Sequence, residues 1–137
     1  LKKYIDMIER VQRKFTKRLP GMKDETYFQR MSTLHLESLE IRRIRIDLIT
    51  VYKILFGHMN VKTSNLFHVR QSSGPRRHRF QLTMPVNRKA VRHSFLANRI
   101  IPAWNSLPLS TNFASLTTFK NSMNNDFLTR ACKRNFM

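Results

Sequence analysis

The chain has 137 residues, with 26 Lys and Arg against 8 Asp and Glu, a net charge of +18 and 41% hydrophobic residues. That length supports one domain or two small ones, and the apolar share excludes wholesale disorder despite the charge. A single cysteine, Cys132, excludes an internal disulfide framework and a cysteine-rich zinc site. No apolar run reaches the roughly 18 residues that a membrane-spanning helix needs. The chain opens on Leu1-Lys2-Lys3-Tyr4, with no initiator Met and no apolar leader, so the expectation is a fragment of an intracellular, polyanion-facing protein.

Residues 2–18 read as an amphipathic helix. Tyr4, Ile8, Val11 and Phe15 recur at spacings of four, three and four, which is one helical face, and Ile5 widens it. Lys3, Arg10, Arg13, Lys14 and Lys17 take the other side, either as a solvated face or as a phosphate-contacting ridge. Pro20-Gly21 stops the helix. Asp24 is the expected N-cap of a second helix over residues 25–33, with Tyr27, Phe28 and Met31 as its apolar residues. After the connector His35-Leu36-Glu37, Ser38 caps a helix over residues 39–56. Its Ile41, Ile44, Leu48, Tyr52 and Leu55 share a face flanked by Val51 and Ile54. Gly57 sits where a left-handed C-cap is wanted. Arg42, Arg43 and Arg45 crowd the first turns, where the helix dipole disfavours cations, so their placement points toward a partner.

Residues 58–78 are less regular. Asn60, Ser64, Asn65 and Gln71-Ser72-Ser73-Gly74-Pro75 signal loops, and Leu66, Phe67 and Val69 read as a small packed turn. Arg76-Arg77-His78-Arg79 leads into Phe80-Gln81-Leu82-Thr83-Met84-Pro85, whose alternation predicts a strand. Val86-Asn87-Arg88-Lys89 turns back toward a second strand near residues 90–93, giving a basic hairpin. Residues 94–107 read as a helix around Phe95, Leu96, Ile100, Ile101 and Trp104, kinked or restarted at Pro102. Ser110 to Ala114 is a polar linker. Ser115 then caps a last helix over residues 116–131, with Leu116, Phe119, Met123 and Phe127 on one face. The expected fold is mainly α, a small helical bundle with one short basic β-hairpin. Its segments are residues 1–57 (helical), 58–93 (basic loop and hairpin) and 94–137 (C-terminal helices).

The distribution of charge says more than its total. All eight acids lie in residues 1–47 and at Asp126, so 78 consecutive residues, 48–125, hold 11 bases and no carboxylate side chain. Such a segment repels itself unless it meets an anion, and phosphate backbones are the commonest intracellular polyanion. The candidate nucleic-acid contacts are Lys14, Lys17, Arg18, Arg42, Arg43, Arg76, Arg77, Arg79, Arg88, Lys89, Arg92 and Arg99. An anionic membrane surface is the weaker expectation.

No constellation with catalytic chemistry stands out. Two-metal nucleotidyl transfer needs converging carboxylates, and the acid-free stretch has none. The remaining acids fit capping and helix-pairing roles. His58, His68 and His78 are ten residues apart, which matches no metal-ligand spacing, and they are expected to be surface or packed histidines. No metal, cofactor or catalytic residue is therefore expected. Trp104 reads as core, and Phe80, between Arg79 and Gln81, is the better candidate for stacking on a base, although a core role is favoured there too.

A series of short stretches runs through the chain in a fixed order. It begins with Glu9-Arg10-Val11-Gln12-Arg13-Lys14-Phe15-Thr16-Lys17, Leu19-Pro20-Gly21, Leu36 and Leu39. Arg42-Arg43, Asp47-Leu48-Ile49 and Tyr52-Lys53-Ile54-Leu55-Phe56-Gly57 follow. Arg92-His93-Ser94-Phe95, Asn98-Arg99, Trp104-Asn105-Ser106-Leu107-Pro108 and Ser115-Leu116-Thr117-Thr118-Phe119-Lys120 complete it. The series resembles the region that follows the polymerase core in reverse transcriptases of jockey-like non-LTR retrotransposons. Members of that family are RNA-directed DNA polymerases, usually joined to an endonuclease, that copy their own RNA at a nicked target. The polymerase aspartate motif is absent from this chain, and Ala103 stands where an acid is expected before the Trp-Asn pair.

The resemblance implies a thumb-adjacent and C-terminal helical extension that grips RNA or an RNA–DNA duplex without sequence readout. Fingers, palm and endonuclease would lie upstream, and no catalytic activity is carried over to this chain. The expected partners are RNA or RNA–DNA duplex and the upstream polymerase core of the same polyprotein, with no membrane. The expected setting is the nucleus or a cytoplasmic ribonucleoprotein. Two other readings stay open: a structural or interaction module packing on that core, and a non-functional remnant of a decayed element.

Overall fold

A computed structural model of the chain describes residues 2–71, 77–83 and 96–136. Those residues are mainly helical, with one two-stranded antiparallel sheet. The elements are α1 (Lys2–Lys17), α2 (Tyr27–Thr33), α3 (Leu39–Leu55), a 3-10 turn (Thr63–Asn65), β1 (His68–Gln71), β2 (Phe80–Thr83), α4 (Leu96–Asn105), α5 (Leu116–Ser122) and α6 (Asn125–Phe136). The chain divides into two compact units, residues 1–43 and 44–137.

In the first unit α1 packs on α2. The N-cap of α2 is Thr26, two residues after the expected Asp24. Thr26 and Gln29 form a reciprocal capping box, in which each side chain accepts from the other residue's backbone N–H. That box satisfies two of the orphan donors of the helix start, which a lone Asp24 does not. The helix ends in a Schellman motif, with Leu36 N–H donating to Met31 O (2.9 Å) and His35 N–H to Ser32 O (3.1 Å). His35 takes the left-handed conformation there, φ +50°, a place usually given to glycine.

The packing of α1 is the reverse of what its pattern leads one to expect. Its inward stripe is Ile5, Glu9, Gln12 and Thr16, with Glu9 and Thr16 buried and Ile5 and Gln12 half-buried, whereas Tyr4, Ile8, Val11 and Phe15 are 58–66% exposed. Polar bonds hold the interface. Tyr27 Oη donates to Glu9 Oε1, Gln12 Nε2 donates to Glu37 O (3.1 Å), and Arg30 Nε donates to Thr16 Oγ1 (3.2 Å). Arg30, 5% exposed, also donates to Glu25 O. A buried cation is tolerable only when hydrogen-bonded in this way. Phe28, expected among the apolar contacts of α2, is 83% exposed.

The second unit holds the apolar core. Ile44, Leu48, Val51, Tyr52 and Ile54 of α3 are buried with Leu82, Ile100, Trp104, Phe119 and Leu128. Gly57, at φ +75°, ends α3, and His58 N–H donates to Lys53 O at 2.8 Å. Aromatic rings fill the centre, Tyr52 lying 4.4 Å from Phe56 and 4.6 Å from Phe119. Phe113 stands among Phe80, His78 and Phe119 at 5.1, 5.2 and 5.6 Å. Tyr52 Oη donates to its carbonyl at 3.0 Å. The segment read as a polar linker therefore contributes a half-buried ring to the aromatic cluster.

The strand partner of β2 is β1, in the register His68↔Thr83, Val69↔Leu82, Arg70↔Gln81 and Gln71↔Phe80. The strand expected near residues 90–93 lies outside the described residues. α4 closes the sheet with side chains. Asn105 Oδ1 accepts from Leu82 N–H and Asn105 Nδ2 donates to Leu82 O, both at 2.8 Å, and Trp104 Nε1 donates to Phe80 O at 2.7 Å. In an antiparallel ladder alternate residues direct their backbone groups to opposite edges, so Trp104 and Asn105 satisfy the edge of β2 that β1 does not reach. The expected helix over 116–131 is two helices. Asn124 Oδ1 accepts from Phe127 N–H (2.8 Å) and caps α6, after Met123 has left helical geometry at ψ 99°.

Candidate nucleic-acid interface

The first group of candidate cations lies in residues 1–43. Lys14 and Lys17 occupy the last turn of α1, where the helix dipole favours cations, and Arg18 follows; all three are exposed. Lys3, Arg10 and Arg13 extend the same side of α1, and Lys3 to Lys17 covers about 21 Å at about 1.5 Å rise per residue. Arg13 lies over the Tyr27 ring at 4.9 Å. Arg42 and Arg43 are exposed in the first turns of α3. Their neighbour Arg45 serves the fold: it donates to Asn125 Oδ1 (2.8 Å) and Met123 O (3.4 Å), tying α3 to the α5–α6 junction.

Glu9, on the inward side of α1, is structural. Glu9 Oε2 accepts from Leu39 N–H at 3.1 Å, placing a carboxylate at the N-terminus of α3, while its other oxygen takes the Tyr27 hydroxyl. Burial first, and then Glu9 itself, push the Tyr27 phenol up to about 12. Glu40 is also raised, by burial and then by the nearby charges of Glu9 and Asp6.

The second group lies in residues 44–137. Arg77 and Arg79 are exposed and flank His78, which is 4% exposed. His78 Nε2 bonds to Trp104 O at 2.9 Å, so the imidazole anchors the segment in the core while its two neighbours point to solvent. Burial pushes the His78 pKa down, partly offset by the bond to Trp104 O, so the ring is neutral and Nε2–H is the donor. Arg79 lies over the Phe80 ring at 4.8 Å. Phe80 is half-buried against Phe56 and Phe113, which gives it a core role at the edge of the aromatic cluster. Arg70, exposed on β1 and paired in register with Gln81, adds a cation that the sequence reading did not select. Its signal was the alternation of His68-Val69-Arg70, hidden by reading Val69 as part of a packed turn.

Arg76, Arg88, Lys89 and Arg92 lie outside the described residues, as does the side chain of Arg99 on α4. A cavity of about 240 Å3 is lined by Ser106, Pro108, Ser110, Asn124, Phe127, Arg130 and Ala131. No candidate cation lines it, and Arg130 Nε already donates to Asp126 O at 3.3 Å. Among the described residues no three His, Cys, Asp or Glu side chains come together to hold a metal ion, and no helix is long and apolar enough to cross a membrane. The structure thus brings together Lys14, Lys17 and Arg18 on one helix end, Arg42 and Arg43 on another, and Arg77 and Arg79 around His78. No family model, curated protein or solved structure matches the chain.

Proposed function

We propose that this chain is a nucleic-acid-binding extension of a retroelement RNA-directed DNA polymerase, gripping the backbone of RNA or an RNA–DNA duplex. Its setting is then a nuclear or cytoplasmic ribonucleoprotein, and the polymerase core would be supplied upstream in the same polypeptide. The observation that carries the reading is the Arg77-His78-Arg79 triplet. A buried neutral histidine fixes two outward arginines in a stretch of 78 residues that contains no acid. Outward cations on a fixed backbone are suited to phosphates, which position a strand without reading its sequence. Fluorescence anisotropy on several unrelated RNAs and RNA–DNA duplexes tests it. Arg77→Ala with Arg79→Ala weakens binding to all of them alike. Unchanged affinity, or a loss confined to one sequence, contradicts backbone gripping.

A further inference from the structure

α1 has three stripes, and the nucleic-acid reading uses one of them. Ile5, Glu9, Gln12 and Thr16 are spent on the first unit's own packing. Lys3, Arg10, Lys14 and Lys17 form the cationic stripe, with Asp6 among them. Between the two lies a row of Tyr4, Ile8, Val11 and Phe15, each 58–66% exposed, with Met7 at 50% on its edge. Single exposed apolar side chains need no explanation, but a contiguous row of four large ones marks a contact surface.

We propose that this row is a docking seam for an acidic amphipathic helix of another protein. The spacing of four, three and four is that of coiled-coil core positions, a narrow strip one helix wide. Lys14 borders the seam directly, and Lys3, Arg10 and Lys17 form the next row, so the complementary helix carries Asp or Glu on that flank. A second copy of this chain would set the same cations against one another, on molecules of +18 each. A lipid surface would need both flanks of the apolar face open, and here α2 covers the flank formed by Ile5, Glu9, Gln12 and Thr16. What fits beside α2 is a rod.

The test uses the full chain and a fluorescent 21-residue helical peptide with Leu at the same four-three-four spacing and Glu on both flanks. Binding of this peptide, with at least about a tenfold loss in Ile8→Ser with Val11→Ser, supports the seam. Tyr4→Ser with Phe15→Ser provides an independent pair, and circular dichroism melting checks that each variant is folded. Equal binding of a scrambled peptide of the same composition overturns the proposal, because charge alone would then suffice. Equal binding of a version with Lys on the flanks overturns the acidic partner. Seam-dependent binding to phosphatidylserine vesicles, or a seam-dependent dimer in sedimentation, in the absence of peptide binding, overturns it in favour of lipid or a second copy.

Discussion

Asn105 does for β2 what a third strand would do. Its amide presents one acceptor and one donor to Leu82, the same pair that a neighbouring backbone offers. Asn105→Ala leaves both Leu82 groups without that partner, and each unsatisfied buried polar group costs about 1–3 kcal/mol, so for the two groups together we expect a loss of at least about 2 kcal/mol. Urea unfolding checks this as a lower midpoint at unchanged slope. Asn105→Asp is no rescue, because it sets a carboxylate against Leu82 O. His78 makes a second prediction at this scale. Its folded pKa is below the ordinary 6.5, so between those two values the unfolded chain binds the extra proton. The contribution of the neutral ring is fully present above about pH 6.5 and is lost as pH falls toward the folded value. Among the described residues the buried Nδ1 has no hydrogen-bond partner, so a second ring proton finds no acceptor there. Wild type should therefore lose more stability than His78→Gln between about pH 7.5 and about pH 5.5 in urea titrations.

At the scale of elements, α1 shows that an amphipathic pattern locates a helix without saying which stripe it buries. The helix itself was legible from the recurrence of Tyr4, Ile8, Val11 and Phe15, and the structure has it at Lys2–Lys17. Its packing was not, because Glu9, Gln12 and Thr16 find partners in Tyr27, Glu37 and Arg30, residues distant in sequence. The consequence is an inverted mutational order. Glu9→Gln turns an acceptor toward Tyr27 or Leu39 into a donor and should cost about 1–2 kcal/mol. Val11→Ser, at an exposed position, should stay within about 0.5 kcal/mol of wild type. Thermal denaturation of the two variants decides, and a costlier Val11→Ser would mean that the apolar row is the packed one. By contrast, α3 was legible almost to the residue. Its apolar face repeats over four turns and its ends carry Ser38, whose Oγ accepts from Ile41 N–H (3.2 Å), and Gly57. The break between α5 and α6 was missed because a single side chain, the Asn124 cap, marks it against a hydrophobic spacing that runs on from Phe119 to Phe127. Phe113 was missed because it follows the polar run Ser110-Thr111-Asn112 with no large apolar residue beside it, while its neighbours in space come from β2, α4 and α5.

For the whole molecule, the question is how a charge of +18 is used. The candidate interface was legible in the sequence as composition, since Arg77 and Arg79 stand in the acid-free stretch. What holds them apart was not, because His78 earns its place through a carbonyl 26 residues away. The cations also divide between the two units: Lys14, Lys17 and Arg18 belong to the first, Arg77 and Arg79 to the second. Contacts to phosphate release condensed counterions, so the affinity for RNA should fall with salt at a log–log slope on the order of −3 to −6. Each phosphate-contacting cation removed should flatten that slope by about 1. Arg77→Ala with Arg79→Ala, and separately Lys14→Ala with Lys17→Ala and Arg18→Ala, then report how many contacts each unit makes. When both groups make independent phosphate contacts, the losses add in the combined variant. When the second set leaves the slope unchanged, the cations of α1 are a solvated face and the grip belongs to residues 44–137 alone. A flat salt response of the unmutated chain removes the phosphate-gripping proposal altogether.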